Sequence, residues 1–155
     1  MIIICDTREQ IPFQFTKWPE IQVRQAALPT GDYSLPGFED HVAVKRKALD
    51  DLISCFMGKN RERFERELAR ARRFEFFTVV VESSFQDMAE GNYKSNMRSH
   101  AALQTVTSFF IRYSVHFMFC GSREGAEYMT YSLLSKYLYE IEKRFQKAQR
   151  AEKTA

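Results

Sequence analysis

Gly31-Asp32-Tyr33-Ser34-Leu35-Pro36-Gly37-Phe38-Glu39-Asp40-His41-Val42-Ala43-Val44-Lys45-Arg46-Lys47 is the stretch whose reading decides the fold. Tyr33 to Leu35 and His41 to Val44 alternate polar and apolar residues, the period of a half-buried strand. Pro36 to Asp40 between them is a turn-rich link of hairpin length. Folding about Phe38 sets Asp32 almost opposite Lys45, where cross-strand Cβ atoms stand about 5 Å apart. Side chains alternate along a strand, so Asp32, Ser34, Lys45 and Lys47 are expected on one face and Tyr33, Leu35, Val42 and Val44 on the other. The second face reads as core and the first as a polar, chemically equipped surface.

Outward from this hairpin, Ile2 to Cys5 is a continuous apolar run, which suits a central strand covered on both faces. Ile11 to Pro19 is irregular, and Gln22 to Ala27 is a second strand. Leu49, Leu52, Ile53, Phe56 and Met57 repeat at helical spacing, giving a helix from about Ala48 that Gly58 ends. A second helix runs from an Asn60 cap to Arg73, with Phe64, Leu68 and Ala71 inward. Phe76 to Val81 is a buried strand, Ser83 or Ser84 caps a short helix that Gly91 ends, and Ser99 opens a further helix. Val115 to Phe119 is a strand, followed by a long helix from Arg123 to about Gln146. Strands interleaved with helices predict an α/β domain with a mixed sheet over residues 1–148, and a frayed tail over 149–155.

The chain of 155 residues is 45% hydrophobic and 28% charged, the balance of a single globular domain. No apolar run approaches the roughly 20 residues needed to span a bilayer, so no membrane is expected and a cytoplasmic location is. Cys5, Cys55 and Cys120 are widely spaced and odd in number, which reads as free buried thiols. His41, His100 and His116 lack metal-ligand spacing. The net charge of +3 is uneven, because Lys59 to Arg73 holds seven basic residues against three acids. That surplus on one helix suits phosphate tracking along a duplex through Arg61, Arg63 and Arg66. It equally suits a solvated face held by pairs such as Glu62–Arg66 and Glu67–Arg70.

Asp6-Thr7-Arg8 at the end of the first strand, then Gly31-Asp32, then Lys45-Arg46-Lys47 and Asp51, resemble in order the motifs of the XPF-type nucleases. That family is a branch of the restriction-endonuclease-like PD-(D/E)xK superfamily. The resemblance implies a restriction-endonuclease-like mixed central sheet flanked by helices. It also implies a metal-dependent DNA endonuclease acting on branched or duplex DNA. In that reading Asp32 and an acid at position 45 hold Mg2+ or Mn2+, with Asp6 and the Arg46 carbonyl as further ligands. Lys47 orients the attacking water, Arg8 grips phosphate, and Asp51 supports the pocket. The family has glutamate at position 45, where this chain has Lys45. Unit charges 4 Å apart interact by roughly 4 kcal/mol at an effective dielectric of 20, so an ammonium in a cation's seat opposes metal binding. Lys45 is therefore expected to pair with Asp32 or Asp6 and to leave a folded, inactive nuclease. Two alternatives stand beside this one: a non-catalytic DNA-binding module, and an interaction protein that dimerises. A homodimer is expected through the final helix, whose stripe of Ala126, Met129, Leu133, Tyr137, Ile141 and Phe145 is wider than one sheet contact requires.

Overall fold

The computed structural model describes residues 1–154. Six strands form one sheet: β1 (Ile2–Asp6), β2 (Gln22–Ala26), β3 (Tyr33–Ser34), β4 (Val42–Lys47), β5 (Phe76–Val81) and β6 (His116–Phe119). The helices are α1 (Leu49–Ser54), α2 (Gly58–Ala71), α3 (Phe85–Ala89), α4 (Ser99–Tyr113) and α5 (Arg123–Thr154). The spatial order is β2-β1-β3-β4-β5-β6. Strand β3 runs antiparallel to β1 and β4, and the remaining neighbours are parallel, so the sheet is mixed. This is the α/β architecture expected, with β1 inside the sheet as its apolar run requires.

The hairpin register pairs Tyr33 with Val44, which puts Asp32 level with Lys45, one residue along from the Asp32–Val44 pairing of a fold centred on Phe38. The two faces of the sheet differ from expectation in one respect. Tyr33, Val42, Val44 and Val80 pack under α5 and the Phe13–Phe15 segment, as the alternation predicts. The opposite face is also covered. Ala43, Phe77, Val79 and Val81 lie beneath α1, α2 and α4 through Leu52, Phe64, Leu68 and Phe109. The polar end of that face, with Asp32 and Lys45, is thus roofed by α2 and is not an open sheet surface.

Three boundaries also differ. Helix α1 stops at Ser54, and Gly58 opens α2 with φ +57°. The glycine makes the corner between two helices, and Met57, not Asn60, is the N-cap. Helix α5 runs on to Thr154, beyond Gln146, with every described residue after Ile141 exposed. Its buried line is Ala126, Thr130 and Leu134; Met129, Leu133 and Tyr137 flank it, and Phe145 is 63% exposed. The threonine sits in the line because its hydroxyl donates to the Ala126 carbonyl and needs no outside partner. Cys5 and Cys55 are buried free thiols, while Cys120 is only partly covered. No helix among the described residues is long and apolar enough to cross a membrane.

Candidate functional site

Strand alternation carries Asp6, Asp32 and Lys45 to one end of the sheet, on the side roofed by α2. The Asp6 N–H donates to the Asp32 carbonyl at 2.8 Å, so the two acidic positions sit on adjoining backbone. Gly31 lets the chain before Asp32 lie close against β4. Its φ is +83°, and a Cβ there would stand 2.8 Å from the Ala43 Cβ, so a side chain would be both strained and overlapping.

A cavity of about 330 Å³ opens at this point, lined by Asp6, Arg8, Asp32, Lys45, Glu67 and the arginine rim described below. Asp6 is 1% exposed and fully engaged. Its Oδ1 accepts from the Arg8 N–H and Nε at 2.7 and 2.8 Å, and its Oδ2 from Arg8 Nη2 and the Leu28 N–H at 2.8 Å each. Burial alone would raise its pKa; the Arg8 guanidinium and these N–H groups outweigh it and hold the carboxyl at about 2. Asp32 accepts from Lys45 Nζ at 3.1 Å and from the Arg46 N–H at 2.7 Å. Lys45 Nζ also lies 3.5 Å from Glu67 Oε1. Burial pushes the Asp32 carboxyl up against the pull of Lys45 and the Arg46 N–H. Burial disfavours the Lys45 ammonium too, but Asp32 and Glu67 outweigh it and raise its pKa.

The cavity does not fit a divalent cation. A carboxylate offers about four acceptor sites, and all four of Asp6 are taken. Asp32 has its two oxygens on an ammonium and an N–H, and a positive charge already fills the space between Asp32 and Glu67. Among the described residues no group of three or more acids, histidines or cysteines converges on a metal position. Cys5 offers no nucleophile either, since burial and the nearby carboxylates push its thiol up to about 11.

The sequence-derived site residues thus fall into three groups. Asp6, Arg8, Asp32, Lys45, Arg63 and Arg66 meet in the first cavity, joined by Arg70. Lys47 and Asp51 line a second cavity, on the other side of the Lys45–Glu67 bridge, with Lys47 Nζ 5.6 Å over the Phe64 ring. The side chains of Arg46, whose carbonyl is the group expected at the metal, and of Arg61 point elsewhere. The Arg46 side chain turns to the α5 face, where it binds Glu9 at 2.8 Å and Glu82 at 3.1 Å, and Glu82 in turn binds Arg123 at 2.8 Å. Arg61 pairs with Glu65 and covers the Phe109 ring at 5.2 Å, which removes it from the arginine rim. Neither of the proposed helical pairs, Glu62–Arg66 and Glu67–Arg70, forms; Glu67 reaches down to the sheet instead. Glu67 and Glu9 went unrecognised in the sequence. Glu67 was findable as the one acid amid Arg63, Arg66 and Arg70 on a single helical face, and Glu9 by its adjacency to Asp6-Thr7-Arg8.

Comparison with known proteins places this geometry in context. The model of the ERCC4 domain family matches residues 5–133. Two solved structures share the fold: XPF from Aeropyrum pernix, with a TM-score of 0.67 at 19% identity over 88% of this chain, and XPF from Aeropyrum pernix in complex with DNA, with a TM-score of 0.63 at 20% identity over 90%. This chain spans 61% and 66% of those two chains. No curated protein matches it.

Proposed function

Because the chain belongs to the ERCC4 domain family, we propose that it is a DNA-binding domain on an endonuclease scaffold whose phosphodiester hydrolysis is blocked by Lys45. The observation that carries this reading is the Lys45 ammonium seated between Asp32 at 3.1 Å and Glu67 at 3.5 Å. The family's magnesium or manganese chemistry needs an open carboxylate cluster there, and this pocket has an internal cation in its place. What remains suits phosphate. Arg63, Arg66 and Arg70 line the cavity mouth and, among the described residues, form no ion pair with any carboxylate. The Arg8 Nη1 edge is likewise unused, and its side chain is 72% exposed. Planar guanidiniums at i, i+3 and i+7 of one helix follow a charged backbone without reading bases. The related XPF structure in complex with DNA supports the choice of ligand.

The test has two arms. The unaltered chain should bind forked duplex DNA with steep salt dependence and no response to EDTA. Lys45→Glu should bind manganese, measured by electron paramagnetic resonance, and nick branched DNA with magnesium. No gain of either property in Lys45→Glu sinks the disabled-endonuclease reading, and no salt-sensitive binding by the unaltered chain sinks the DNA-binding one. A homodimer through α5 belongs to the same proposal, favoured by Tyr128, Tyr139 and Phe145, which stay 54%, 52% and 63% exposed on a helix that already covers its own sheet. Light scattering at micromolar concentration showing only monomer would remove it.

A further inference from the structure

We propose that Glu67 is an internal stand-in for a phosphate oxygen, an anionic plug that a phosphate of DNA displaces on binding. The inference rests on the phosphate-binding reading of the cavity and adds how that site is kept closed. A single oxygen, Glu67 Oε1, takes both the Gly31 N–H at 3.3 Å and the Lys45 ammonium at 3.5 Å. Both donors line the cavity, and a phosphate oxygen entering between the arginines would meet the same pair. Both contacts are longer than the 2.7–2.9 Å usual for charge-assisted bonds, so the carboxylate is seated loosely.

Three further observations distinguish a plug from an ordinary ion pair. Glu67 sits on the same helical face as Arg63, Arg66 and Arg70 yet makes its ion pair with Lys45 on β4. The other inward acid of the helix, Glu65, is saturated by Arg61, Arg112 and Tyr113 at 3.3, 2.6 and 2.8 Å. Lys45 does not depend on Glu67 for its position, because Asp32 holds it at the shorter distance of 3.1 Å. Departure of Glu67 therefore leaves the Gly31 N–H and Lys45 Nζ in place and aimed into the cavity. Lys45, Arg63 and Glu67 also line both cavities, so the Glu67 side chain forms part of the partition between them. Swinging it outward would remove one of the three side chains that the two cavities share.

The experiment uses the full chain and two probes, inorganic phosphate and a forked DNA duplex, on wild type, Glu67→Gln and Glu67→Asp. Glutamine keeps the shape and removes the charge; aspartate keeps the charge and is too short to reach the Gly31 N–H. Like-charge contact costs enough that its removal should tighten phosphate binding about tenfold or more in Glu67→Gln. The Gly31 amide resonance should then move at phosphate concentrations that leave wild type unchanged, and fork affinity should rise in parallel. Glu67→Asp, which frees the Gly31 N–H but keeps the charge, should move the amide in the same direction by a smaller amount, and it serves if the glutamine variant fails to fold. Equal phosphate affinity in wild type and a folded variant, or weaker affinity in the variant, overturns the proposal. If phosphate binds Glu67→Gln more tightly and no form binds the fork, the plug stands and the DNA-binding reading falls.

Discussion

Replacing Lys45 with methionine keeps most of the side chain's length and removes its charge, and the cost is set by what Asp32 does next. At an effective dielectric of 20, each of the contacts at 3.1 and 3.5 Å has a gross attraction of about 5 kcal/mol. Desolvation of the buried charges cancels much of that. A ceiling on the loss comes from protonation. A carboxyl of ordinary pKa near 3.9 can shed its charge by binding a proton, which costs about 4 kcal/mol at pH 7 and about 1.5 kcal/mol at pH 5. The Glu67 side chain can turn toward water, so Asp32, with its side chain 11% exposed, sets the loss. Burial already raises the Asp32 pKa with Lys45 present, and without the ammonium it rises further. A carboxyl whose folded pKa lies above its unfolded value favours the folded state below the unfolded pKa, and that benefit is lost as pH rises through the folded pKa. The variant should therefore lose about 3–4 kcal/mol at pH 7 and only about 1–1.5 kcal/mol at pH 5, relative to wild type at each pH. Urea unfolding at the two pH values measures this. Equal losses at both, or a loss below about 1 kcal/mol at pH 7, would refute the account of a buried carboxylate held by Lys45.

Asp6 should behave in the opposite sense. Its pKa is held at about 2, so its contribution is complete above the ordinary carboxyl pKa and is lost as pH falls from there toward 2. Because Arg8 is largely exposed and screened by water, the contribution is on the order of 1–2 kcal/mol, and Asp6→Asn should flatten that part of the acid-unfolding curve. Gly31→Ala should cost about 2–4 kcal/mol, from a left-handed backbone and overlap with Ala43, read as a lower urea midpoint at unchanged slope. The double change Arg63→Ala and Arg66→Ala should reduce the log–log salt slope of fork binding by about 2, one phosphate contact each. Arg61→Ala should leave that slope alone and lower stability by about 1 kcal/mol, since Arg61 serves Glu65 and Phe109.

The hairpin was legible because its information is local. A period of two and a short turn-rich link bring Asp32 close to Lys45, while the observed pairing of Tyr33 with Val44 lies one residue beyond what a link of five alone would give. The cover over the polar face was not legible, because α2 docks there through Phe64 and Leu68 against side chains from β5 and α4, contacts with no sequence period of their own. The helix corner at Gly58 differs for a related reason: the chain leaves α1 at Ser54 and turns over 55–57, where Phe56 is buried, before Gly58 with its positive φ opens α2. Within the site, Asp6, Asp32 and Lys45 came from strand ends that the alternation placed. Arg61 and Glu67 are reversed from expectation because composition counts charges on a helix without saying which face they occupy.

On the proposed reading, the Lys45 seat also explains how the acidic framework stays folded with no bound cation. Asp32 stays buried with its backbone tied to β4, since its N–H donates to the Val44 carbonyl at 2.8 Å and its carboxylate takes the Arg46 N–H. It cannot retreat from the pocket without breaking the hairpin. Arg46 in turn is locked on the far face by Glu9 and Glu82, so the backbone N–H that Asp32 uses is fixed as well. With both anchors held, the pocket presents a negative site, and Lys45 on the same face of β4 supplies its counter-charge at 3.1 Å. An apolar residue at position 45 leaves the carboxylates uncompensated, and an acid there adds a third. A long basic side chain supplies a counter-charge shared by Asp32 and Glu67 from within the fold. The ammonium that on the proposed reading opposes a divalent cation is thus the same group that offsets the buried carboxylates.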